Sequence, residues 1–159
     1  MYNMIANERI IMKAALLLIL ALLPINSNAD DATDMVDLCY INLFNMREFV
    51  PIAKKLGFPD LTKASFEQMA NLEKVTDSEK PLIAKYDAES KICFNLNMNA
   101  QPKNLHQKIK AALYENENNK TSSLFDLYNQ KISYGEYIKI RKESSARLAN
   151  ENDIANREI

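Results

Sequence analysis

The chain has 159 residues, 47% apolar and 26% charged, with 20 Lys plus Arg against 21 Asp plus Glu. Its length suits one small domain, and only two glycines exclude collagen-like and Gly-rich disordered classes and count against a Gly-rich phosphate loop. A formal net charge of −1 offers no concentrated basic surface, so nucleic acid is not an expected partner.

The first element is a leader. Met12-Lys13 precedes an unbroken apolar run from Ala14 to Leu23, stopped by Pro24. Ser27-Asn28-Ala29 then supplies a small-x-small exit before Asp30-Asp31. A positive start, a short apolar core and such an exit are the parts of a secretory signal peptide. The run is shorter than the roughly 20 residues of a bilayer span. The expectation is a signal peptide over residues 1–29, with Met12 as an alternative start and no stable membrane insertion once it is removed. The expected destination is the periplasm, with secretion second. Loss of Arg9, Lys13 and Glu8 with the leader would shift the net charge by only one further negative unit.

Export fixes how the cysteines are read. Cys39 and Cys93, 54 positions apart, are an even pair in a chain bound for an oxidising space. One disulfide is the default in that context. Each sits among apolar residues, Val36 to Leu43 and Ile92 to Leu96. Closing a loop of that length is worth roughly 4 kcal/mol in the chain-entropy model. Two lone cysteines and a distant His106 do not make a zinc set, and no metal or cofactor is expected.

Beyond the leader the spacing predicts helix after helix. Val36, Cys39, Tyr40, Leu43, Met46, Phe49 and Val50 recur at three- and four-residue steps behind Asp34, with a kink or restart at Pro51. Lys54, Lys55 and Leu56 before Gly57 read as a cationic last turn with a left-handed stop. Asp60 is a candidate cap for a second helix burying Leu61, Ser65, Phe66, Met69, Leu72 and Val75. Pro81 opens a third, lined by Leu82, Ile83, Tyr86, Ser90, Cys93 and Phe94. Asn95 to Asn99 and Pro102 mark its exit, and Leu105, Ile109, Ala112 and Leu113 define a fourth. Glu115 to Lys120 is polar throughout and reads as a loop or frayed end. No alternating run supports a strand. The fold class is all-α, a bundle of about five to six helices over residues 30–143, and residues 144–159 form a polar helical extension or frayed tail.

In the last third, Ser123 is a candidate cap for Leu124 to Tyr128, Asn129 to Ile132 a turn, and Ser133-Tyr134-Gly135-Glu136 a capping box. Leu124, Leu127, Ile132, Tyr137 and Ile140 are then expected to meet inside a helical hairpin. Over residues 123–143 this order resembles the short C-terminal helical-hairpin motif (SHOCT) found in many bacterial proteins, departing from it at Tyr134-Gly135 and in a turn without glycine. The resemblance implies packing or oligomerisation and carries no catalytic residues. As a whole the chain is similar to small exported α-helical bacterial proteins.

A search for chemistry returns few candidates. His106 has no orienting partner in sequence and reads as a surface imidazole. Asp30, Asp31 and Asp34 read as helix-end acids, since a calcium loop would need spaced ligands and a turn glycine. Glu67, Glu73 and Glu89 could pair as acid and base but sit at the spacing of a solvated face. Asn119-Lys120-Thr121 matches a glycan acceptor by pattern. Met35, Met46, Met69 and Met98 read as core filling. Tyrosines are usually ring-in and hydroxyl-out, but Tyr128, Tyr134 and Tyr137, with Arg141, are the candidate partner surface. The expected function is a non-enzymatic exported helical protein that binds another protein, as an inhibitor or immunity protein does. The alternative is a self-associating structural or stress-related envelope component, a homo-oligomer.

Overall fold

The computed structural model describes residues 29–58 and 60–157, so all of the expected leader but Ala29 lies outside the described residues. The chain divides into Met1–Asp31 and Ala32–Ile159, and the packing below belongs to the second unit. Among the described residues there are six α-helices and no strand. They are α1 (Ala29–Asn45), α2 (Val50–Ala53), α3 (Phe66–Met69), α4 (Lys80–Ala100), α5 (Gln107–Tyr128) and α6 (Tyr134–Arg157), with 3-10 turns at Arg47–Phe49 and Leu61–Lys63. None is long and apolar enough to cross a membrane.

Helix α1 starts earlier than Asp34 and turns Val36, Cys39, Tyr40, Leu43 and Phe44 toward the core, leaving Met35, Leu38 and Ile41 exposed. Met35 is therefore not core filling. At Met46 the backbone becomes extended, and the chain restarts through the 3-10 turn into α2, with Pro51 in its first turn. Proline fits there because the first turn has no intrahelical acceptor for its missing N–H. Gly57 stops this segment at φ +84°, and a Cβ on it would lie 2.7 Å from the Leu61 side chain.

The expected second helix is not formed. Asp60 caps only the Leu61–Lys63 turn, and Ser65 and Gln68 form a capping box that starts the one-turn α3. Phe66 and Leu72, read as buried, are 81% and 83% exposed. From Asn71 the chain has no regular structure, and its carbonyls are used elsewhere: Tyr134 N–H donates to Glu73 O (3.0 Å) and Gly135 N–H to Asn71 O (2.9 Å). The segment thus caps α6, satisfying two of the donors that a helix start leaves free. Gly135 lets it approach, since a Cβ there would lie 2.6 Å from both Asn71 O and Met69 O.

Helix α4 buries Ile83, Tyr86, Ser90, Cys93 and Phe94, as the spacing predicts. The Cys39–Cys93 disulfide ties it to α1, with Cα atoms 5.6 Å apart. Helix α5 runs unbroken through the polar stretch read as a loop, and Ser123, read as a cap, is buried inside it with its hydroxyl donating to Lys120 O. The α5–α6 turn places Gln130 at φ 59°, and Ser133 and Glu136 form the expected capping box. Helix α6 extends to Arg157. Leu124, Leu127, Tyr134, Tyr137 and Ile138 close the apolar end of the α5–α6 hairpin, whereas Ile140 faces out.

Candidate functional site

Two recesses in the helical body carry defined chemistry. The first is a surface groove of about 270 Å³ between α4 and α5. Its floor is Ile83, Ala84 and Leu124, and Phe125 and Tyr128 stand on its rim. Phe125 is 61% exposed and Tyr128 37%. Such exposure follows from the helix period: Leu124 and Leu127 point to the core, which turns 125 and 128 outward. The polar end is Asp87, whose carboxylate accepts from Thr121 Oγ1 (3.1 Å) and pairs with Lys91 (2.6 Å). Cationic heads cover the rim rings. Lys80 Nζ lies 5.9 Å from the Tyr128 centroid and Lys131 Nζ 5.6 Å from that of Phe125.

The second recess, about 240 Å³, lies between α1, α4, α5 and α6. Tyr40, Phe44, Phe58, Tyr86 and Phe94 form aromatic walls, and Asn116, Glu117, Lys120 and Arg141 supply polar groups. Asn116, Glu117 and Lys120 come from the stretch read as a loop, and Arg141 from α6. Their polarity belongs to the interior, because each finds a partner there. Lys120 Nζ donates to Ser90 Oγ (2.9 Å) and pairs with Glu117 (2.6 Å). Burial pulls the Lys120 ammonium below its ordinary value while Glu117 pulls it back. Arg141 Nη1 donates to Asn116 O (3.1 Å) and Oδ1 (3.2 Å), and Ser144 Oγ donates to the same Oδ1 (2.8 Å). Burial pushes the Tyr40 hydroxyl up to about 12, with Glu117 adding and Arg141 opposing. Tyr86 is raised well above its usual value, again chiefly by burial.

Of the predicted partner surface, only Tyr128 is on the surface. Tyr134, Tyr137 and Arg141 are 0%, 1% and 6% exposed. They fall on one stripe of α6, at spacings of three and four, that packs inward. Periodicity from Tyr134 through Tyr137 to Arg141 and Ser144 carried that signal. Phe125 is the other exposed rim residue.

The remaining candidates separate. His106 caps α5, its Nδ1 accepting from Lys108 N (3.3 Å). Glu67 and Glu73 line a shallow groove beside α2, but Glu89 is not among its lining residues. Glu73 pairs there with Lys55 at 2.8 Å. Asn119 lies within α5 with its amide on Ser144 Oγ (3.4 Å). Among the described residues no group of three His, Cys, Asp or Glu side chains could hold a metal ion. Compared with family models, curated proteins and solved structures, the chain gives no significant match.

Proposed function

We propose that this is an exported, non-catalytic protein that binds another protein through the α4–α5 groove. The observation that carries the reading is the placement of Phe125 and Tyr128, two aromatic rings partly open to water on the rim of an apolar recess. Aromatic anchors beside a small apolar pocket are the common core of protein–protein contacts. The recess is sized for one or two apolar side chains of a partner, and the lysines over the rings favour acidic neighbours around that anchor. Export is supported by the leader pattern and by the Cys39–Cys93 bridge, which an oxidising compartment sustains.

The test is chemical cross-linking in an extract of the exporting cell, with the wild-type chain and a Phe125→Ser/Tyr128→Ser variant. A partner held by the wild type and lost by the folded variant supports the reading; identical cross-linked species overturn it. Sedimentation of the purified chain at micromolar concentration separates self-association from binding to a different protein. Intact mass with and without reductant reports cleavage after Ala29 and the bridge together.

A further inference from the structure

The recess between α1, α4, α5 and α6 has a charge that the protein itself does not balance. Arg141 is 6% exposed; its Nη1 donates to Asn116, the Tyr137 hydroxyl also faces the guanidinium, and Nε is buried without a hydrogen-bond partner. The carboxylates nearest in the network are engaged, Glu117 with Lys120 at 2.6 Å and Asp87 with Lys91 at 2.6 Å. Among the described residues Arg141 forms no ion pair. Lys120, Glu117, Asp87, Lys91 and Arg141 together leave one positive charge, on the guanidinium. An unpaired buried charge is costly, and a carboxylate is the group that a guanidinium lining a recess pairs with best.

The rest of the recess limits what anion fits. Its walls are rings: Phe44 and Phe58 lie 4.4 Å apart between centroids, and Phe58 and Tyr86 5.1 Å. About 150 Å³ of apolar cavity holds a benzene ring, and this one has about 240 Å³. Its half-buried members, Asn97, Leu113 and Leu148, leave it a mouth. Polyanions are disfavoured, because Glu117 lies on the same wall and only one positive charge is unspent.

We infer that this recess is a binding site for a small monocarboxylate with an aromatic or branched apolar body, its carboxylate on Arg141 and its body among Phe44, Phe58 and Tyr86. The site is separate from the α4–α5 groove and does not depend on the reading given to that groove. It makes the protein a carrier or sensor of an organic acid, with the disulfide holding the α1 wall of the pocket against α4.

The test uses the disulfide-bonded full chain, with phenylacetate and benzoate as probes, followed by calorimetry and by NMR of the aromatic and arginine Nε resonances. Benzyl alcohol supplies the ring without charge, and acetate the charge without a ring. The expected result is one site per chain, shifts at Tyr40, Phe44, Tyr86 and Arg141 Nε, and aryl carboxylates at least about tenfold tighter than either half-probe. Arg141→Gln should abolish the preference for the charged probe. Leu148→Phe, which keeps the guanidinium and fills the mouth, should lose binding of both ring compounds, so a poorly folding Arg141 variant leaves the test intact. No shift with either aryl carboxylate at about 10 mM on folded protein, or equal affinity for phenylacetate and benzyl alcohol, overturns the inference and leaves a water-filled polar cavity.

Discussion

Gly135→Ala is the sharpest single test of how α6 is docked. A Cβ at this position would lie 2.6 Å from Asn71 O and Met69 O and 2.9 Å from Asn71 N, all backbone atoms. No rotamer relieves that overlap; the 69–73 segment or the first turn of α6 must move. Moving either breaks Gly135 N–H to Asn71 O and strains Tyr134 N–H to Glu73 O. Lost hydrogen bonds of this kind cost about 1 kcal/mol each, and overpacking costs about 1–3 kcal/mol. Against them stands the better helix propensity of alanine, at most about 1 kcal/mol. The net expectation is a destabilisation of about 2–4 kcal/mol, a large share of an ordinary domain's stability. Urea unfolding followed by far-UV circular dichroism measures it, with an unchanged slope and a lower midpoint. Hydrogen exchange at the Tyr134 and Gly135 amides should rise with it. A variant as stable as the wild type, or more so, would show that propensity outweighs the close approach and that the 71–73 carbonyls do not cap α6.

Two further outcomes follow from the same contacts. Replacing both cysteines by serine should cost up to about 4 kcal/mol in the chain-entropy model, read as a lower midpoint against the oxidised wild type; a change under about 1 kcal/mol would mean that the bridge constrains little. The Glu136 carboxyl is held below its ordinary value by the bond from Ser133 N–H, with the Ser133 side chain and Lys74 adding. A carboxyl depressed on folding contributes stability above its unfolded value, 4.5, and that contribution is lost as pH falls through the lowered folded value. Glu136→Gln should therefore flatten the acid limb of the stability profile and leave neutral pH less affected, and an acid limb unchanged in the variant would remove the capping box from the linkage.

Where the helices lie was largely legible in the sequence, because α1, α4 and much of α5 and α6 bury apolar residues at a period near 3.6. Residues 61–75 misled for a definite reason. Leu61, Phe66, Met69, Leu72 and Val75 have helical spacing, but Asp60 and Ser65 each cap only a single turn, and Asn71 turns its own side chain onto Glu73 N–H (2.8 Å). Such side-chain bonds compete with helix continuation, and the freed carbonyls are then consumed by α6, an interaction no local pattern announces. The face of α6 was misread by a smaller margin. Choosing Ile140 as an inward residue rotates the helix away from Ile138, which is the fully buried one.

The polar seam of the α5–α6 hairpin explains why the candidate site was hidden. A run such as Glu115 to Lys120 reads as solvent-facing only if burial demands apolar side chains, and here it demands partners instead. Asn116 takes Arg141 and Ser144, and Lys120 takes Ser90 and Glu117. Such a seam adds little net stability, since desolvation offsets what the bonds return. It does select one alignment. Sliding the antiparallel helices by one turn would set Arg141 against Ala112, which offers no side-chain acceptor, or against Lys120, a like charge. The apolar end, with Leu124, Leu127, Tyr137 and Ile138, tolerates small slips far better, because apolar contacts carry no such pairing rule. Stability and register are thus assigned to opposite ends of one hairpin. The end that fixes register is also the end where a charged side chain is kept in a recess with one of its donors unspent.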